Sequence, residues 1–125
     1  MPTLRSVAPV LHCADLACIR DMLVEQLGFV VTGSAGNPPS WASLARDSVE
    51  LMLVAASAPA HPRDWAAYVH VTGVDALYEE FERNGARFKG PPENQPYRSR
   101  DFDVILPDGR SLVFGESIRE ESPQR

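Results

Sequence analysis

Apolar and polar positions along the chain follow two rhythms, and their order is written twice. In the first half the run Val7 to Cys13 predicts a strand. Asp15 follows as an N-cap, since its carboxylate accepts from the unpaired amides of a first helical turn. Leu16, Ile19, Leu23 and Leu27 recur at helical spacing, and Gly28 stands where a left-handed helix end belongs. Phe29-Val30-Val31 starts a second strand. A loop holding Pro38 and Pro39 leads to a third, Trp41 to Ala45, and Asp47-Ser48 turns the chain into a fourth, Val49 to Val54.

The second half repeats the series. Ala67 to Val71 reads as a strand, Asp75 as an N-cap, and Ala76, Leu77 and Phe81 as a helix closed by Asn84-Gly85. Arg87-Phe88 is a short strand. A loop with Pro91, Pro92 and Pro96 leads to the strand Phe102 to Leu106, Pro107-Asp108-Gly109 turns, and Ser111 to Phe114 closes the unit. The two cap aspartates lie 60 residues apart and the turn aspartates Asp47 and Asp108 lie 61 apart. Order, caps and turns together predict a duplicated βαβββ module inside a single domain, 1–125. The modules span 6–56 and 66–117, joined by a linker at 57–65 and followed by a frayed polar tail at 118–125. Each sheet has one face for its helix and another that needs cover. The predicted fold is therefore α+β, with the two modules forming a half-open mixed-sheet barrel whose cup is a small-molecule site.

Composition narrows the function classes. The 125 residues are 44% apolar and 23% charged, as in a globular protein, with a net charge of −5 and no basic stripe for nucleic acid. No stretch approaches the length of a membrane span, and the N-terminal apolar run is too short for a signal segment. Cys13 and Cys18 make neither a disulfide framework nor a zinc site and suit a reducing cytoplasm.

Several segments carry a family likeness: Ala8-Pro9-Val10-Leu11, Gln26-Leu27-Gly28-Phe29, Gly73 to Tyr78, Gln95-Pro96-Tyr97 with Arg100-Asp101-Phe102, and Pro107-Asp108-Gly109 followed by Val113-Phe114. In this order the chain resembles the vicinal oxygen chelate superfamily of glyoxalase I, extradiol dioxygenases and fosfomycin- and bleomycin-resistance proteins. Within it, the bleomycin-resistance proteins are most similar. The likeness covers about residues 6 to 117.

The resemblance implies metal corners at Ala8, Glu50, Val69 and Val113, and three of these four are aliphatic. His12 shares Ala8's parity but lies too far along the strand to replace it. His70 is expected toward the helix layer, and His61 falls in the linker. No metal and no cofactor are expected. Glu50 is the candidate general base, assisted by His12, in an alternative reading as a glyoxalase-like lyase or isomerase or a dioxygenase-related enzyme. Otherwise it hydrogen-bonds a ligand or balances Arg98 or Arg100.

The resemblance also places a drug-stacking aromatic at Trp41 and another at Tyr97, where one extra residue before Phe102 shifts the loop register. Met52 offers an adaptable floor, Arg98 and Arg100 suit an anionic group, and Phe102 serves as wall or core. Trp65 is expected to pack, Tyr68 and Tyr78 to belong to the helix layer, and Asp101 and Asp103 to be surface charges or attract a cation at the rim. The implied function is binding and sequestration of a flat, cationic, antibiotic-like small molecule. The implied assembly is a homodimer with Pro9 as the hinge of an exchanged first strand, with neither nucleic acid nor membrane as partner.

Overall fold

The computed structural model describes residues 1–57 and 64–118. The middle of the expected linker, His61 included, and the expected tail from residue 119 onward lie outside the described residues. The chain divides into two compact units, Met1–Ala60 and His61–Arg125.

In the first unit, β1 (Val10–Cys13), α1 (Leu16–Glu25), β2 (Val30–Ala35), β3 (Trp41–Arg46) and β4 (Val49–Ala55) form a mixed sheet in the order β1-β4-β3-β2. β1 runs parallel to β4, and the other neighbours are antiparallel. Register decides the faces. Leu11 stands opposite Leu53 and Leu44 opposite Leu51, and all four are buried with Cys13 and Ala42 on the side of α1. Leu16, Ile19 and Leu23 supply the matching stripe of the helix. Asp15 caps α1 as expected, its Oδ1 accepting from the Cys18 amide at 3.1 Å. Gly28 takes the left-handed φ of 76° that lets Phe29 turn back, its amide donating to the Leu23 carbonyl.

The second unit repeats the order with β5 (Trp65–His70), α2 (Val74–Arg83), β6 (Glu93–Gln95), β7 (Ser99–Ile105) and β8 (Ser111–Ser117), its sheet running β5-β8-β7-β6. β5 and β8 are parallel. Beneath α2 the core is aromatic: Phe81 meets Phe102 and Phe114 edge-on, with centroids 6.0 and 5.1 Å away, and Tyr78 closes against Phe88 and Phe102. The fold is thus α+β, two four-stranded mixed sheets with two helices. Neither sheet closes into a barrel.

Several local expectations are corrected. The first strand begins at Val10 rather than Val7, although the Met52 amide still reaches the Pro9 carbonyl. Asp75 does not cap α2. Gly73 holds that position with φ 81°, and the Glu116 carboxylate, from β8, accepts from the amides of Gly73 (3.1 Å) and Val74 (3.0 Å). Arg87-Phe88 is reduced to a single bridge from Phe88 to Val104. The polar segment Glu93–Gln95, expected as loop, pairs with Ser99–Asp101 as an edge strand that hydrophobic rhythm does not reveal.

Candidate ligand-binding site

Each sheet has an open face, opposite its helix. In the first unit, the pairs Val10–Met52, His12–Val54, Trp41–Val54, Ser43–Met52 and Ala45–Glu50 place their side chains together on that face. Trp41, Met52, Glu50 and His12 therefore share one wall. Trp41 is half-buried because Gly33 lies beside it: a Cβ there would stand 3.2 Å from Trp41 Cη2. A bulge at Thr32 shifts the register next to Gly33, and Thr32 bonds the Ser43 hydroxyl at 2.7 Å. Met52 is half-buried and Glu50 is exposed.

The open face of the second unit is more elaborate. At its centre is Asp101, 3% exposed, whose carboxylate gathers three donors. Tyr97 Oη donates to Oδ2 at 2.6 Å, Tyr68 Oη to the same oxygen at 3.0 Å, and Gln95 Nε2 to Oδ1 at 3.1 Å. The Tyr68 hydroxyl also bonds Ser99 Oγ. Hydrogen bonding to Asp101 is the main cause that drives the Tyr97 pKa far above its ordinary value, and burial leads in raising that of Tyr68. Tyr68 lies flat because Gly115 is under its hydroxyl, and a Cβ at Gly115 would collide with it.

The Tyr68 ring lies between Trp65 and His70, with centroids at 5.7 and 5.2 Å. Trp65 and Tyr97 remain 54% and 53% exposed, surfaces that a ligand can cover. Two recesses open here. One of about 450 Å³ is walled by Trp65, Tyr68, His70, Tyr97 and Arg98, and the other, of about 440 Å³, lies among Trp65, Tyr97, Asp101, Asp103, Glu93 and Lys89. Both volumes fall in the range of small-molecule sites.

Some expected site residues are elsewhere. Phe102 is 2% exposed and its ring belongs to the aromatic core under α2, because the register pairs it with Phe114. Arg100 also points to the helix side, where it forms a forked ion pair with Asp75 (3.0 Å) and reaches Asn94 Oδ1. Arg98, in the turn between β6 and β7 with φ 61°, stays exposed at the recess.

β5 has the opposite parity to that expected: Val69 is buried opposite Phe114 on the helix side, while Tyr68 and His70 face the opening. Trp65 also lines the opening rather than packing: it shares the parity of Ala67 and Val69, and the register shift between Trp65 and Ala67 turns its side chain to the other face. The signal was present in the alternation, since Ala67, Val69 and Val71 are apolar and Tyr68 and His70 between them are not. Of the implied metal corners, Val69 is thus on the wrong face, Val113 is fully buried, and Ala8 has no donor atom in its side chain. Among the described residues no three His, Cys, Asp or Glu side chains gather as a metal-holding group.

No protein-family model matches the chain, and no curated protein matches it. Solved structures do. A bleomycin-binding protein from bleomycin-producing Streptomyces verticillus, complexed with copper(II)-bleomycin, superposes with a TM-score of 0.75 at 23% identity, over 96% of this chain and 100% of that one. A glyoxalase-related enzyme from Clostridium phytofermentans gives a TM-score of 0.76 at 20% identity, over 94% and 98%. A glyoxalase/bleomycin resistance protein/dioxygenase from Nocardioides gives 0.71 at 19%, over 100% and 91%.

The chain has the glyoxalase/bleomycin-resistance fold. Structures of that fold include both enzymes and binding proteins, so the fold by itself leaves the activity to be argued from the site. No helix among the described residues is long and apolar enough to cross a membrane.

Proposed function

We propose that this chain is a metal-independent binding protein that sequesters a flat, cationic, bleomycin-like small molecule. The observation that carries the reading is the aromatic opening of the second unit. Buried Asp101 fixes Tyr97 and Tyr68, and Trp65 and Tyr97 leave half their surface open to a stacking partner. Preset rings bind planar ligands by offset stacking and attract cations to their faces, with little ordering cost on binding. Trp41 and Met52 offer a second apolar surface on the open face of the first unit, with Glu50 beside them as a carboxylate for a cationic group. Structures of this fold solved with bleomycin support the ligand class.

The reading includes a cytoplasmic homodimer with Pro9 as hinge of the first strand. Pro9 directly precedes β1 and donates no ladder bond, which suits a change of direction there. The domain boundaries 6–56 and 66–117 belong to the same proposal.

Titration with metal-free and copper-loaded bleomycin, followed by tryptophan fluorescence and calorimetry, tests it. Useful sequestration corresponds to a binding free energy of about −8 kcal/mol or stronger. A clear change below that micromolar threshold supports the reading, and no change at tens of micromolar rejects the ligand class.

A further inference from the structure

The two recesses of the second unit differ in charge although they share a partition. Trp65 and Tyr97 line both. On one side the walls are Tyr68, His70 and the cationic Arg98. On the other they include Asp101, Asp103 and Glu93, three carboxylates against one ammonium, Lys89. Tyr97 is tied through its hydroxyl to buried Asp101, and the Trp65 ring rests against Tyr68.

We propose that these recesses are the two compartments of one site for an arylalkylamine: a planar ring joined by a short chain to a primary ammonium or guanidinium group. The ring lies in the compartment of Tyr68 and His70, and the cation crosses the edge of the Trp65–Tyr97 partition into the acidic compartment. Charge sets the orientation. Arg98 repels a cation from the aromatic side, while Asp103 and Glu93 attract it on the other. The ring lies among the side chains of Trp65, Tyr68, His70 and Tyr97, which line that compartment. Asp101 already holds three donors, so half-buried Asp103 and exposed Glu93 are the carboxylates that select the cation. This inference rests on the small-molecule reading proposed above and specifies its ligand chemistry and polarity.

Tryptamine, tryptophol and indole-3-propionate share one ring and differ in carrying a cation, a neutral hydroxyl or an anion. Calorimetric titration of the full chain with each, alongside chemical-shift mapping of the Trp65 indole N–H, tests the inference. Tryptamine is expected to bind about tenfold tighter than tryptophol, the difference a charge-assisted bond supplies, with indole-3-propionate weakest. In the double variant Asp103→Asn, Glu93→Gln the preference for tryptamine disappears while tryptophol affinity is unchanged. Tyr97→Leu weakens all three.

Equal affinities for the three probes, no binding by any, or a preference for tryptamine that survives the double variant overturns the inference. Bleomycin run in parallel separates the two claims. If it binds wild type and double variant alike, the compartments fail and the sequestration reading stands. If it binds neither while tryptamine shows the carboxylate-dependent preference, the sequestration reading fails and the compartments stand.

Discussion

Asp101 shows how a residue acquires a role that its type does not announce. A lone aspartate flanked by Arg100 and Phe102 looks like a surface charge, yet its backbone position faces the open side of β7 between Gln95, Tyr68 and Tyr97. Three donors on one buried carboxylate make it the organiser of the aromatic opening. Asp101→Asn keeps the shape and removes the charge, and is expected to cost about 2 kcal/mol by chemical denaturation, as for loss of charge-assisted bonds. The same change should bring the Tyr97 phenol back toward its ordinary titration range, read by ultraviolet absorbance of the phenolate.

In the wild-type protein Tyr97 and Tyr68 are both raised above their ordinary value of 10.0. The stability they contribute is therefore complete below pH 10 and declines as the pH climbs through their folded values. A wild-type unfolding midpoint that is insensitive to these phenols between pH 6 and 9, and falls above pH 10 more steeply than that of Asp101→Asn, is the expected result.

At the scale of elements, α2 draws its N-terminal cap from a distant strand. Glu116, 42 residues from Val74 in sequence, accepts from both of the first two amides, while Asp75 is turned outward to Arg100. Glu116→Ala should cost about 1 kcal/mol, as loss of a cap does. Asp75→Ala removes an exposed ion pair and should cost less than about 1 kcal/mol. The reverse order in equilibrium denaturation would restore Asp75 as the cap. Sequence spacing pointed to Asp75 because aspartate is the commoner capping residue beside a helix start. The partner that does the work arrives through β8, which no local window contains. The same limit explains β6: Glu93–Gln95 has no apolar rhythm and is a strand because Ser99–Asp101 offers its backbone bonds across a tight turn.

For the whole molecule, the duplication makes two units with one topology and different cores. α1 rests on leucines and α2 on an interlocked group of aromatic rings. The proposed dimer is checked by sedimentation at tens of micromolar, where a species of twice the 13.8 kDa chain mass is expected and a monomer alone removes the assembly from the proposal.

The order of β1 to β5, α1, α2, β7 and β8, the α1 cap, the turns at Asp47 and Asp108, and the shared parity of Glu50 and Met52 were legible in the sequence alone. Each depends on neighbours a few residues away or on strict two-residue alternation. The tertiary structure decided that Phe102 and Arg100 serve the helix side, that a register shift turns Trp65 to the opening, and that Asp101 joins three side chains. Those assignments depend on which strands lie side by side and in what register, and such pairing is a long-range contact that local composition does not encode.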